Sequence, residues 1–305
     1  MSHTETTGPA LSISAVERET GLSKDTLRIW ERRYRFPEPV RDVNGERAYS
    51  HEQVGKLRVL KRLIDRGHRP SKIVGRSVDE LLTLIEPMAE AVAVANEEHA
   101  QILELVRTHQ VGELRQALAA MLLRQGLAAF LLETIGPLNR HIGEAWMRGQ
   151  LEVFEEHLYT ETIQRVLRNA LAGLPQRRVP PRILLTTFPA ELHALGLLMA
   201  EGMLALEGAA CTSLGTQTPI RDIARAASSH GADVVALSFS LAYPVTQATE
   251  GLAELRAQLG PTVEIWAGGA NPGLVRRAVE GVHAIPELAA VPAAVARWRE
   301  SHASA

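Results

Sequence analysis

The sequence predicts a multi-domain chain: a winged helix-turn-helix, a helical bundle, and an α/β domain built on a parallel sheet. Three observations carry this. Capped, basic helices and an Asn-Gly turn crowd into the first 76 residues, and helical periodicity alone fills the middle. Beyond prolines at 175, 180 and 181, short apolar runs alternate with amphipathic helices. The expected domain boundaries are 1–86, 87–175 and 176–305.

At 305 residues, 46% hydrophobic and 22% charged, the chain is long enough for more than one core and has the composition of a folded protein. Cys211 is its only cysteine, which excludes an internal disulfide framework or a thiolate metal cluster and fits a reducing compartment. The polar start lacks a basic-then-apolar leader, and even the greasy stretch 195–206 contains Glu201. A cytoplasmic protein without a membrane segment is expected. The net charge of -2 hides an asymmetry: residues 1–76 hold 16 Lys and Arg against 10 Asp and Glu, whereas the remainder holds 17 against 25. Only the first part is suited to a polyanion.

Residues 1–10 read as a tail. From Ile13 the pattern is helical, with Ser12 or Ser14 able to cap it, Val16 on the apolar side and Gly21 as its stop. Ser23 can cap a second helix over 24–34, in which Leu27 and Trp30 face inward while Lys24, Arg28, Arg32 and Arg33 stay outside. Pro37 and Pro39 end it. Asn44-Gly45 between short β-compatible runs signals a hairpin, a candidate wing whose arms carry Arg41, Arg47 and Tyr49. A capped helix over 50–66 follows, striped by Val54, Leu57, Leu60 and Leu63 or Ile64 and closed by Gly67. Another helix is expected over 71–85, with Pro87 as a boundary. Helices over 114–123, 127–135 and 153–171 suggest a small bundle. After a linker at 175–182, strands are expected at 182–188, 210–214, 233–239, 263–266 and 282–285, with helices between them covering both faces of a parallel sheet.

A basic second helix suits the major groove, where arginine can engage a guanine edge with two hydrogen bonds, and wing arginines can hold phosphates. An isolated basic helix can also be a solvated face. The ordered combination narrows the choice: helix, turn, Ser-capped basic helix with Trp30, proline exit, Asn-Gly wing, Tyr49, then another capped helix. With GLSKDTLRIWERRYRFPEPVRDVNGERAYS at its centre, residues 13–66 resemble the MerR family of transcription regulators. The resemblance implies a homo-oligomer, dimer or tetramer, on a roughly palindromic double-stranded operator. Its DNA-binding residues would be Lys24, Arg28, Arg32, Arg33, Arg41, Arg47 and Tyr49. Trp30 and Tyr34 read as packing residues.

A second constellation, Glu191-Leu192-His193-Ala194-Leu195-Gly196, follows the first expected strand, at the carboxyl edge where α/β sheets bind ligands. His193 can offer one ring nitrogen to a metal while Glu191 accepts from the other, fixing tautomer and basicity. Gly196 would let a bulky group approach the backbone. Alone, the pattern also suits a solvated histidine. Ser238-Phe239-Ser240 and Gly268-Gly269 end the third and fourth strands at the same edge. Together these features make residues 182–299 resemble the cobalamin-binding Rossmann-like (flavodoxin-like) domain of methionine synthases and methylmalonyl-CoA mutases. There the pattern is Asp-x-His-x-x-Gly, Ser-x-Leu and Gly-Gly, so Glu191 and Ser240 depart from it. The resemblance implies that His193 ligates cobalt from below, Ser238 meets the displaced benzimidazole, and Gly268 and Gly269 leave room for the nucleotide tail.

Trp146, followed after nine residues by Glu156-His157, resembles the pattern of the CarH and LitR photoreceptor regulators. The resemblance implies that Trp146 caps an adenosyl group, Glu156 hydrogen-bonds it and His157 positions the cap. Read from the residues alone, a bundle tryptophan and a surface Glu-His pair remain open. Where those photoreceptors have a histidine that takes the upper cobalt position after light, this chain has Met147, and a thioether is a poorer ligand for Co(III). The expected protein is a non-enzymatic, adenosylcobalamin-dependent, light-responsive repressor. The alternatives are a light-insensitive sensor of cobalamin or another ligand, and a corrinoid enzyme subunit, against which the fused basic reader argues.

Overall fold

The computed structural model describes residues 11–65, 68–85, 97–147, 150–174, 179–241, 243–271, 274 and 277–303. It divides into two compact units, one of residues 1–107 and 139–156, the other of 108–138 and 157–305. The tail, Gly67, Pro87 and the linker proline at 175 lie outside the described residues.

In the first unit, β1 (Leu11–Ser12) leads into α1 (Ile13–Thr20), whose N-terminus is capped by the Ser12 hydroxyl accepting from the Ala15 N–H. Gly21, at φ 67, stops it by turning its own N–H back to the Glu17 carbonyl, a left-handed conformation that favours glycine. Ser23 caps α2 (Lys24–Tyr34) through the Thr26 N–H. Strands β2 (Val40–Arg41) and β3 (Arg47–Tyr49) form the expected hairpin, and β1 pairs with the far side of β3 in a three-stranded antiparallel sheet. The two-residue β1 is too short to leave a period-2 pattern in the sequence.

Helix α3 (His51–Asp65) buries Val54, Leu57, Leu60 and Leu63 against Val16, Leu27, Trp30 and Tyr49. The single helix expected over 71–85 is instead two, α4 (Pro70–Ile73) and α5 (Val78–Ile85). The cause is a reciprocal capping box. The Glu80 carboxylate accepts the Ser77 N–H at 2.8 Å, and the Ser77 hydroxyl accepts the Glu80 N–H at 3.2 Å. Helix α6 (Glu97–Arg107), inside the stretch expected to be helical throughout but given no bounds of its own, also belongs here.

The rest of the helical region comprises α7 (Val111–Gln125), α8 (Leu127–Ala129), a six-residue π-helical turn Phe130–Ile135, α9 (Gly136–Met147) and α10 (Val153–Ala172). The expected helix 127–135 thus runs on through α9. Residues 139–147 of α9 fall in the first unit.

The second unit is built on β4 (Val179–Thr186), β5 (Ala209–Ser213), β6 (Val234–Ser238), β7 (Glu264–Gly268) and β8 (Val282–Ile285), all parallel, in the order β5-β4-β6-β7-β8. Between them run α11 (Ala194–Leu206), α12 (Ile220–Ser229) and α13 (Val245–Gln258), and α14 (Val291–His302) closes the chain. Helix α11 packs with α14, and α12 with α13. The expected strands are all present with ends shifted by a few residues. The largest shift is in β4, which begins at Val179 and holds Pro180 and Pro181 where its register slips against β5. Residues without an N–H are tolerated at such an irregularity. A Cβ on Gly202 would stand 2.9 Å from Leu131 Cδ1, so a larger residue there would push aside that side chain of the π-helical turn. Among the described residues, no helix is long and apolar enough to cross a membrane.

Candidate functional site

The reader begins with α1 and α2, locked at their turn. The Thr20 hydroxyl donates to the Val16 carbonyl at 2.7 Å and accepts the Leu22 N–H at 3.2 Å. Lys24 is anchored at both ends, its N–H to Glu17 Oε1 at 3.1 Å and its ammonium to Oε2 at 3.7 Å. Arg28 reaches Asp25 at 3.1 Å, and Arg28, Arg32 and Arg33 are exposed. In the wing, Asp42 Oδ1 accepts the N–H groups of Asn44 and Glu46, and Gly45, at φ 76, donates to the Asp42 carbonyl. Arg41 closes this turn by donating to the Gly45 carbonyl at 2.8 Å.

Two of the expected DNA-binding residues are placed otherwise. Tyr49 is fully buried in the reader core, where burial pushes its phenol pKa up, with Glu31 adding to the effect. A tyrosine ending a strand under three helices fills the core rather than facing a duplex. Arg47 lies in a half-buried pair, its Nε 2.8 Å from Glu31 Oε2, so its guanidinium joins β3 to α2 instead of standing open to phosphate.

At the carboxyl edge of the second sheet, β4 lies between β5 and β6, and the chain order reverses there, which opens a crevice in folds of this type. Glu191 lies in this loop, 1% exposed. Its Oε1 takes the His193 ring Nδ1 at 2.6 Å and the His193 N–H at 3.0 Å, while Oε2 takes the Ser240 N–H at 2.7 Å. One buried carboxylate thereby ties the loop after β4 to the end of β6. Burial works against its charge, but the hydrogen bonds from His193 and Ser240 prevail and hold its pKa below the ordinary glutamate value. The His193 ring is 61% exposed, at the residue that opens α11, and its neighbour Leu192 is 66% exposed.

Gly196 faces Ser238: a Cβ there would meet the serine Oγ at 3.0 Å. Gly268 and Gly269 have a structural cause of their own. A Cβ on Gly268 would stand 2.9 Å from the Ile285 carbonyl oxygen, and one on Gly269, at φ 113, would stand 2.2 Å from that of Phe239. Both are needed for backbone to approach backbone, so room for a ligand tail is not required to explain them.

Sequence reading missed the polar scaffold under this rim. The Thr187 hydroxyl donates to the Glu191 carbonyl at 2.8 Å and accepts the Gln217 N–H at 2.9 Å, while Thr186 bonds Thr218 at 2.7 Å. Tyr243 donates to the Pro189 carbonyl at 3.2 Å, and Asn271 to that of Tyr243 at 2.7 Å. Two adjacent threonines closing an apolar strand were the available signal.

Trp146, on the last turn of α9, packs against the reader core, with the Arg58 guanidinium 4.6 Å from its ring centroid. Glu156 and His157 lie on the first turn of α10, the glutamate half-buried and the histidine exposed. The Met147 side chain lies outside the described residues.

Residues 11–75 match the model of the MerR HTH family regulatory protein, and residues 98–170 and 181–291 each match a B12 binding domain. The HTH-type transcriptional repressor CarH of Myxococcus xanthus is 32% identical over 263 residues, 82% of this chain and 85% of its own. The HTH-type transcriptional repressor CarA of the same organism is 33% identical over 235 residues, 75% of this chain and 76% of its own. Among solved structures, the monomethylamine corrinoid protein of Methanosarcina barkeri superposes with a TM-score of 0.54 at 12% identity, over 66% of this chain and 98% of that one. That likeness is one of fold.

Proposed function

The chain belongs to the MerR-type regulators with B12-binding domains, the family that includes the CarH and CarA repressors, and on that premise we propose that it is a cytoplasmic, cobalamin-binding repressor that holds operator DNA as an oligomer and responds to light through adenosylcobalamin. It is read as a regulator and not as an enzyme, divided at residues 86 and 175 into reader, cap and cobalamin-binding domains. The observation that carries the reading is the His193 ring backed by buried Glu191 at the reversal point of a parallel sheet, in one chain with a Ser-capped basic helix.

These residues fit a corrin. The His193 imidazole, backed by a buried carboxylate, would hold a metal that brings most of its own ligands, as the cobalt of a corrin does. Glu191 keeps the His193 Nδ1 engaged, which directs the basicity of the ring to its other nitrogen. Ser238 and Gly196 line the same edge, and Ser240 holds Glu191 in place through its amide. Trp146, Met147, Glu156 and His157 would help to hold the group, as the resemblance to the photoreceptor pattern implies. When bound, adenosylcobalamin supplies a cobalt–carbon bond that light can break. The oligomer then shifts only by the difference in affinity the two assemblies have for the ligand.

A dark titration with adenosylcobalamin, followed by visible absorption, tests the binding. Wild type is expected to retain the corrin through gel filtration and His193→Ala to lose it; a wild type that emerges colourless overturns the proposal. Light scattering before and after illumination tests the response, with a fall in mass expected. A mass that light leaves unchanged supports the second reading, a light-insensitive cobalamin sensor, which Met147 in place of the photoreceptors' histidine favours.

A further inference from the structure

Helix α2 turns Leu27 and Trp30 into the reader core and leaves Asp25, Arg28, Ile29 and Arg32 on the opposite side, all exposed. Ile29 is the anomaly, an isoleucine 47% exposed among charged neighbours. Nor can a small rotamer change hide it. At about 100° per residue the helix sets Ile29 about 100° away from Trp30 and beside Asp25 and Arg32. A side chain in that position contributes little to the fold, and its β-branch is a modest handicap to the helix.

On a helix face that enters a major groove, the same side chain has one natural counterpart. The groove edges of the bases are hydrogen-bond donors and acceptors, apart from a single apolar group, the C5 methyl of thymine. Arg28, one residue earlier, is steadied by Asp25 at 3.1 Å, and a guanidinium fork matches the acceptor pair of guanine. We propose that Ile29 is a specificity-determining residue that reads a thymine methyl in the operator, next to base pairs contacted by Arg28 and Arg32. The assignment rests on the reading of this chain as a DNA-binding regulator.

The test uses the full chain in darkness with adenosylcobalamin supplied. Duplexes are selected from a random 24-base-pair library by the wild-type protein, and each thymine of the selected site is then replaced singly by deoxyuridine, which removes only the methyl. Affinities are measured by fluorescence anisotropy. At one thymine or more per half-site, wild type is expected to lose about fourfold, the equivalent of one buried methyl. Ile29→Ala is expected to bind both forms equally, and Ile29→Val to keep part of the discrimination. Unchanged melting temperatures of both variants exclude a folding defect. If no thymine shows a penalty that vanishes in Ile29→Ala, the methyl contact is wrong while DNA binding stands. If selection enriches no duplex, the DNA-binding reading fails and Ile29 with it.

Discussion

The Arg58 guanidinium lies over the Trp146 indole, 4.6 Å from the ring centroid, and the same guanidinium is paired with Glu19. One arginine of α3 thus joins α1 to the end of α9. Both the Arg58 Nε and the Trp146 Nε1 are buried without a hydrogen-bond partner among the described residues, so the contact depends on the face of the ring and the charge above it. A double-mutant cycle with Arg58→Met and Trp146→Leu should return a coupling of about 1 kcal/mol in thermal unfolding of the ligand-free protein. A coupling near zero would show that the two residues are merely adjacent.

The Glu191 pKa is depressed in the folded protein, so the stability it contributes is fully present above the unfolded carboxylate value and is lost as pH falls through the folded one. Comparison of wild type with Glu191→Gln by denaturant unfolding should therefore show a gap at neutral pH that narrows below roughly pH 4. A gap that stays constant in acid would mean the carboxylate charge is not what holds His193 and Ser240.

Gly269→Ala should destabilise the second unit by about 3 kcal/mol or more, because φ 113 and the Phe239 carbonyl oxygen both oppose a methyl there. Gly196→Ala should be mild in stability, since a serine hydroxyl can turn aside where a strand backbone cannot. Equal melting temperatures for the two variants would contradict this ranking.

In the reader, Arg32→Ala should weaken binding and also relax the selected sequence, whereas Arg33→Ala should weaken binding to any duplex and lower the slope of affinity against salt by about one. Tyr49→Phe should leave both unchanged, because its hydroxyl is buried without a hydrogen-bond partner among the described residues. A loss of affinity in Tyr49→Phe would return this residue to the interface.

The parts of this protein that were legible in its sequence are those where chemistry is local. Ser12, Ser23, Gly21 and the Asn-Gly turn announce themselves because caps and turns depend on residues a few positions apart. The Glu191–His193 pair is two residues apart and was equally readable. What stayed hidden depends on distant partners. Nothing near Arg47 reveals that Glu31, sixteen positions earlier, will take its charge, and nothing near Gly269 reveals the Phe239 carbonyl. Ser77 and Glu80 were a local signal that a continuous apolar stripe obscured.

In the turn Phe130–Ile135, the Gly136 N–H reaches back five residues to the Leu131 carbonyl, so the helix there holds one residue more per turn than its α-helical flanks. The wide turn takes up that extra residue. Deleting a single position from it would let an ordinary ladder run straight through, and the buried Leu138 just beyond would keep its inward face with one residue fewer before it.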